Sequence, residues 1–246
     1  YTEVDTLSLH DALPIFQIEN EYYSTIRPKR VCPSGERPIN ILTSKGIDYL
    51  ELRCVDLNPY SSIGITEEQI NFLDTLLMYC FVTESPEINT EESLRIQRNH
   101  EKIVNAGRDE KALIETDGEP ILVKDEANRI LSELEVVAEF MDTEVHQDQG
   151  LNWLQSISDQ KNNLNKLNGI LSARVLEDLK ENDLSFRDLG NKLSKEHREA
   201  MINKSSKLDD LFSNASKKSI EDTKKIESSN QIDFENYLKE FLDKIS

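Results

Sequence analysis

A short predicted strand near residue 50 carries a carboxylate and a guanidinium on the same face. Successive side chains of a strand point to opposite sides, so the stretch YLELRC separates into a polar face and an apolar face. The polar face consists of Tyr49, Glu51 and Arg53. The apolar face consists of Leu50, Leu52 and Cys54. A carboxylate can hold a hard cation and a guanidinium can hold phosphate oxygens, but a solvated strand face would carry the same two charges. The pattern alone leaves both interpretations open.

A basic cluster lies upstream of this strand, in the stretch STIRPKR. Arg27, Lys29 and Arg30 surround Pro28, whose ring limits the backbone there. In a chain with a formal net charge of −18 this cluster fits either a solvated loop or a contact to a triphosphate. The residues before it, FQIENEYY (16–23), form a predicted strand.

Helix signals frame both stretches. Pro38 at a first helical position and Gly46 just past the end predict a helix over residues 38–45. Thr66 and Gln69 form a capping box that begins a second helix. We expect the apolar stripe of that helix to cover the apolar face of the strand. The stripe consists of Ile70, Leu73, Leu76, Leu77, Cys80 and Phe81.

The downstream sequence predicts mostly helix. A loop over 107–120 contains one apolar segment, 112–114, that can add a strand or a sheet edge. Solvated helices are expected up to residue 226, and a last amphipathic helix over 234–242. The other predicted helices span 89–106, 125–141, 151–167 and 172–181.

The composition argues against several classes of protein. Binding to nucleic acid needs clustered lysine and arginine, and this chain is strongly acidic. The longest apolar run, residues 76–82, is much shorter than the roughly 20 residues that span a bilayer. Three widely spaced cysteines indicate reduced thiols in a cytoplasmic protein. No catalytic triad is visible, and His100, His146 and His197 are interpreted as packed or surface residues.

Several of these motifs occur together in one known family. The stretches QIENEYYSTIRPKR (17–30), YLELRCVDLNPYSSIGI (49–65) and QINFLDTLLMYCFV (69–82) resemble the proteobacterial type of glutamate–cysteine ligase in order, spacing and residue type. The resemblance begins at Gln17, is weakest toward the C-terminus, and covers the C-terminal part of that enzyme. The N-terminal part, which in the family supplies most of the metal-binding carboxylates, is missing.

The resemblance implies an α+β fold, in which a mainly helical fragment carries two or three strands of a glutamine-synthetase-like antiparallel catalytic sheet. It also implies ATP-dependent ligation of the γ-carboxylate of L-glutamate to L-cysteine through a γ-glutamyl phosphate, the first step of glutathione biosynthesis. Mg²⁺ or Mn²⁺ would be the cofactor, and Glu51 would be a metal ligand. Arg53 would be the catalytic residue that holds the transferring phosphoryl group. Asn20, Tyr23 and Arg27 would bind the nucleotide.

The chain is therefore divided into three predicted parts. Residues 1–15 do not continue the family pattern and are interpreted as a non-native junction segment. Residues 16–123 are expected to form the C-terminal part of the catalytic sheet with its covering helices, and residues 124–246 a helical region. We expect the fragment to be inactive alone. The complete enzyme is expected to be a cytoplasmic monomer acting on small molecules, without a nucleic-acid or membrane partner.

Two alternative functions stay open. The first is a non-catalytic, acidic, helical interaction protein that keeps the strand unit as a structural remnant. The second is another carboxylate–amine ligase of the same fold, because the missing part would determine the acceptor.

Overall fold

The computed structural model of the 246-residue chain describes residues 24–33, 35–145, 152–166, 169–202, 208–229 and 232–243. The strands in these ranges are β1 (Ile26–Lys29), β2 (Tyr49–Leu52), β3 (Leu113–Thr116) and β4 (Glu119–Leu122). The helices are α1 (Pro38–Lys45), α2 (Glu67–Val82), α3 (Thr90–Ala106), α4 (Val123–Phe140), α5 (Trp153–Asn165), α6 (Leu171–Glu181), α7 (Phe186–Ile202), α8 (Asp209–Ser228) and α9 (Phe234–Asp243). A π-helical turn, Met141–Val145, continues α4. A mainly helical chain with two small antiparallel sheets confirms the predicted α+β class.

The described elements belong to two units. Unit 1 combines Tyr1–Asp56 with Lys204–Ser246 and contains β1, α1, β2, α8 and α9. Unit 2 is Leu57–Asn203 and contains the other elements. The division predicted at residue 123 falls at the start of α4, inside unit 2. None of the described helices combines the length and the apolar composition that crossing a bilayer requires.

In unit 1, β1 and β2 form an antiparallel two-stranded sheet, and α1 connects them. Pro38 lies in the first turn of α1 and Gly46 follows its last residue with φ at +77°. A glycine tolerates this left-handed backbone without the steric cost that a Cβ would add. The helix predicted over residues 38–45 is therefore confirmed.

A proline within β1 is compatible with the pairing of the two strands. The backbone N–H of Arg53 donates to the carbonyl of Thr25 (2.9 Å). Hydrogen-bonded and non-hydrogen-bonded pairs alternate along an antiparallel ladder, so Pro28, opposite Leu50, occupies a non-hydrogen-bonded position. An N–H at that position would point away from β2. Pro28 therefore removes no hydrogen bond from the sheet.

The core of unit 2 forms where α2, α4 and α5 pack together. Leu131, Leu134 and Ala138 recur at helical spacing on α4 and are buried. Trp153 and Ile157 on α5 meet them. Partly buried side chains that pack around this cluster are Phe72, Leu76, Tyr79, Ile130, Val137 and Leu164.

The beginning of α2 was predicted correctly, and its inward face was predicted in part. Thr66 Oγ1 accepts from the N–H of Gln69 (3.3 Å), and Gln69 Oε1 accepts from the N–H of Thr66 (3.0 Å), so the capping box is confirmed. The predicted stripe is confirmed only in part. Leu76 packs against the core, whereas Ile70 and Phe81 are exposed. Thr75, which is not in the stripe, is fully buried. Because α2 is apolar on more than one side, periodicity alone could not select the face that packs.

Two residues of the apolar face of β2 are exposed. Leu50 is 43% exposed, and Cys54 is exposed as well. The helix predicted to cover this face, α2, belongs to unit 2 and packs there on α4 and α5. The cover itself stays a prediction.

A β-hairpin replaces most of the loop predicted over residues 107–120. β3 pairs with β4 through the two-residue turn Asp117-Gly118. Asp117 has φ at +51° and Gly118 at +83°, the signs that a type I′ turn requires. The predicted apolar segment, 112–114, forms the first part of β3 and the residue before it.

Near the middle of this hairpin, neither outer edge has a free backbone N–H. The Asn99 side chain of α3 donates from Nδ2 to the carbonyl of Glu115 (2.7 Å) and accepts at Oδ1 from the N–H of Glu115 (2.9 Å). On the opposite strand, Pro120 lies across from Glu115 and has no N–H. The N–H of Val123 donates to the carbonyl of Ala112, so by alternation the Glu115–Pro120 pair is a non-hydrogen-bonded one whose backbone groups point outward.

The other helices agree with their predictions to within a few residues. α3 begins after Asn89, whose Oδ1 accepts from the N–H of Glu92 (2.9 Å), and ends before Gly107. Such ends are set by side chains next to them in sequence, which explains why they are predictable.

Candidate functional site

The register of the first sheet brings four charged side chains to one face. Residues opposite each other on paired strands point to the same side, so Arg27 shares a face with Glu51, and Lys29 shares it with Tyr49. Arg53 follows Glu51 by two residues and continues the ladder, which places it on that side as well. The polar face seen in the sequence of β2 thus gains Arg27 and Lys29 from β1. We call Arg27, Lys29, Glu51 and Arg53 the charged face.

Glu51 contacts two cations of the charged face through one oxygen. Lys29 Nζ lies 3.3 Å from Glu51 Oε2, and Arg53 Nε lies 3.2 Å from the same atom. All three side chains are between 29% and 34% exposed. The hydrogen bond from Arg53, assisted by Lys29, holds the pKa of the Glu51 carboxyl below its usual value. The carboxylate is therefore ionised at neutral pH.

The described residues do not fit a complete magnesium site by themselves. Mg²⁺ takes six oxygen ligands and is held by one or more carboxylates together with waters and phosphates. On the described parts of β1 and β2, Glu51 is the one carboxylate of the charged face, and two cations already neutralise it. No group of three or more His, Cys, Asp or Glu side chains that could hold a metal occurs among the described residues. Three cations beside one carboxylate favour the binding of an anion over the binding of a metal cation.

Arg30, the last basic residue of the stretch STIRPKR, contacts a different part of the chain from the charged face. Arg30 Nε donates to the carbonyl of Gly46 (2.6 Å), and its Nη2 lies 2.7 Å from Asp48 Oδ1. These contacts tie the end of β1 to the segment that leads into β2, which is a structural role. Of the other predicted nucleotide-binding residues, Asn20 and Tyr23 lie outside the described residues.

A second polar cluster, in unit 2, fixes the loop that follows Asp56. The Asn58 side chain is buried; it donates to Gln69 Oε1 (3.0 Å) and accepts from the N–H of Tyr60 (3.0 Å). His197 Nε2 donates to the carbonyl of Pro59 (2.8 Å), since a carbonyl can only accept. His197 thus has a packed, structural role, and His100 is an exposed residue of α3.

The partly buried side chain of Tyr60 contacts two residues of α6. Its hydroxyl donates to Asp178 Oδ2 (2.5 Å), and the Arg174 guanidinium lies 3.7 Å from the centre of its ring. The ring and the guanidinium attract each other because the face of an aromatic ring is electronegative. These contacts join the loop to a helix more than a hundred residues later in the chain.

We expect Tyr60 to ionise later than an ordinary tyrosine. Burial, reinforced by the hydrogen bond to Asp178, raises the pKa of Tyr60 to about 12, against about 10 in an unfolded chain. Its contribution to stability is therefore complete below pH 10 and is lost between about pH 10 and pH 12. Phenolate absorbance of the wild type minus that of Tyr60→Phe isolates this titration. Asp178→Asn should lower the pKa, and an unchanged titration in that variant would contradict the assigned cause.

Sequence reasoning named Lys29 in the basic cluster but did not place it beside Glu51. It did not select the Tyr60 cluster. Alternation within IRPK could have placed Lys29 beside Arg27, had the stretch been recognised as a strand. The pairing of Tyr60 with Asp178 has no local signal, because the two residues are 118 positions apart.

Known proteins resemble this chain over most of its length. A family model described as glutamate-cysteine ligase matches residues 9–103, a range that includes part of the segment 1–15. The glutamate–cysteine ligase of Saccharophagus degradans is 33% identical over 235 residues, which cover 92% of this chain and 43% of that protein. The glutamate–cysteine ligase of Pseudomonas putida KT2440 is 36% identical over 185 residues, which cover 75% of this chain and 35% of that protein.

The fold is also similar to a solved structure. A crystal structure of the glutamate–cysteine ligase from Francisella tularensis in complex with AMP matches with a TM-score of 0.81 and 24% sequence identity. The match covers 92% of this chain and 44% of that one. The chain thus spans less than half the length of the relatives it matches, as a C-terminal part of them.

Proposed function

Because this chain belongs to the glutamate–cysteine ligase family, in which it matches a C-terminal part, we propose that an enzyme of the family's full length carrying it ligates L-glutamate to L-cysteine with ATP. In this reaction ATP transfers its γ-phosphoryl group to the γ-carboxylate of glutamate. The amine of cysteine then attacks the acyl carbon, phosphate leaves, and γ-glutamylcysteine forms. The product is a precursor of glutathione.

The charged face is the observation that carries this proposal. Phosphoryl transfer places negative charge on the transferring group, and fixed cations stabilise that charge in the transition state. Arg53 presents a planar fork that suits phosphate oxygens, and Arg27 lies across from Glu51 on the same side of the sheet. We assign Arg53 to the transferring phosphoryl group, and Arg27 to the nucleotide phosphates. Asn20 and Tyr23 remain predicted nucleotide contacts.

We further propose that Glu51 provides one ligand of a Mg²⁺ or Mn²⁺ ion. The described residues supply no second carboxylate on the charged face, so the other ligands would come from outside them. When bound, such an ion would neutralise phosphate oxygens. Because the chain spans less than half the length of the relatives it matches, the 246-residue chain alone is expected to release no ADP in the presence of glutamate, cysteine and Mg²⁺.

The proposed partners are the three small molecules of the reaction, for an enzyme that is a monomer. The proposal places the enzyme in the cytoplasm. This proposed location is supported by Cys32, Cys54 and Cys80, which are all free thiols, as expected under reducing conditions.

A magnesium titration of Glu51→Gln tests the role of this residue in the full-length enzyme. The amide keeps the shape of the side chain but loses the charge that a hard cation prefers. We expect a lower rate at limiting Mg²⁺ and partial recovery as Mg²⁺ is raised.

Glu115→Gln is the matched control, because the Glu115 side chain is similarly exposed and lies 3.8 Å from Arg98 in unit 2. It should leave the magnesium dependence unchanged. If Glu51→Gln behaves like this control, Glu51 is not a metal ligand.

A further inference from the structure

The charged face is an exception in the charge distribution of the chain. Lys29 and Arg53 contact Glu51, and Arg27 lies opposite it, so three cations meet one carboxylate among the described residues of this face, whereas the whole chain carries a formal net charge of −18. Anions are repelled by most of such a chain, so a local excess of cations acts as a selective site for them. Glu51 is the group that opposes an anion there.

We propose that Lys29 is an exchangeable counterion, which neutralises Glu51 when no ligand is bound and turns to a polyphosphate oxygen when an anion occupies the charged face without metal. The inference deepens the proposed function and rests on it for the class of anion, a chain of phosphates. It assigns a role to Lys29 that differs from that of either arginine.

The chemistry of the side chains favours Lys29 as the group that exchanges. Lysine carries a compact charge on a flexible stem with three donors, so it can leave one acceptor for another without breaking a planar fork. Its contact to Glu51 is a partly exposed ion pair at 3.3 Å, and such pairs are weak. The backbone of Arg53 is fixed by its hydrogen bond to Thr25, and its Nε remains beside Glu51 at 3.2 Å. Glu51 therefore keeps a partner after Lys29 leaves.

The exchange predicts opposite effects for the two members of one ion pair. Removing the Lys29 charge deletes a cation that binds the anion, so binding should weaken. Removing the Glu51 charge deletes a repulsion and releases Lys29 beforehand, so binding should tighten. For charges a few ångströms from the anion near a protein surface, each effect should be about threefold to tenfold in Kd. If the pair were only structural, both substitutions would act in the same direction.

Calorimetric titration of the 246-residue chain with inorganic triphosphate, at low salt and with EDTA present, tests the proposal. The variants are Lys29→Met, which keeps the length of the stem, and Glu51→Gln. The matched control pair is Lys225→Met and Asp222→Asn, because Lys225 and Asp222 form a lysine–carboxylate pair at 3.1 Å on α8. We expect the wild type to bind triphosphate, Lys29→Met to bind more weakly, Glu51→Gln to bind more tightly, and both control variants to match the wild type.

Any of three results would overturn the role of Lys29. These are no triphosphate binding by the wild type, unchanged or weaker binding by Glu51→Gln, or equal effects in the control pair. Glu51→Gln decides the matter even if Lys29→Met fails to fold. The titration contains no metal, glutamate or cysteine, so its outcome does not depend on ligase activity. If triphosphate does not bind but the full-length enzyme turns over, only the role of Lys29 is wrong. If triphosphate binds as expected but the full-length enzyme is inactive, only the ligase proposal is wrong.

Discussion

Leu134→Ala should lower the free energy of unfolding of unit 2 by about 2 to 5 kcal/mol, the usual range for removing a buried leucine side chain. Leu134 has 0% exposure and lies in the middle of the cluster formed by α4 and α5. Replacing it leaves a cavity that neighbouring helices can only partly fill. Trp153 is the only tryptophan of the chain and belongs to the same cluster, so its fluorescence during urea denaturation reports on this core directly.

Leu94→Ala is the control for that measurement. Leu94 is 51% exposed on α3 and belongs to the same unit, so the same change in side chain removes much less buried surface. We expect a loss of less than about 1 kcal/mol. Equal losses in the two variants would show that the packing of α2, α4 and α5 is not the main source of stability in unit 2.

Arg53→Lys should slow the proposed chemical step of the full-length enzyme about 100-fold to 1,000-fold, which is typical for loss of one aligned donor to a charged transition state. Lysine keeps the charge but loses the fork that can hold two phosphate oxygens. Because the ground-state phosphates would keep their other cations, we expect the KM for ATP to change much less than kcat.

The matched control is Arg98→Lys. Arg98 also lies near a carboxylate, 3.8 Å from Glu115, but it belongs to unit 2 and is 52% exposed. Its substitution should leave both constants near the wild type. If Arg53→Lys is equally silent, the charged face does not act in the chemical step.

Features encoded by neighbouring residues were predictable from the sequence. The capping box of Thr66 and Gln69 and the Pro38 and Gly46 boundaries of α1 are each set within a few residues. The common face of Glu51 and Arg53 is also local, because alternation alone places them on one side. Alternation does not give the register between β1 and β2, and it is this register that brings Lys29 to the face of Glu51.

Features decided by competition between distant segments were not predictable. α2 has apolar residues around much of its circumference, and only the positions of α4 and α5 select the side through Thr75 as the buried one. The β3–β4 hairpin was predicted only in part, since segment 112–114 was recognised as able to add a strand but β4 was not. Asp117-Gly118 is a strong turn signal. Pro120 is compatible with β4 because it lies in a non-hydrogen-bonded pair.

The arrangement around Glu115 affects how copies of this chain behave toward one another. An exposed strand edge can recruit a strand from another molecule, and such additions start aggregation. At the middle of the hairpin the Asn99 amide already satisfies both backbone groups of Glu115, and Pro120 offers no donor on the other side. A strand that added to β3 would have to displace the Asn99 amide. A strand that added to β4 would lack a hydrogen bond at Pro120. At this position the hairpin therefore offers another molecule fewer free backbone groups than an open strand edge would.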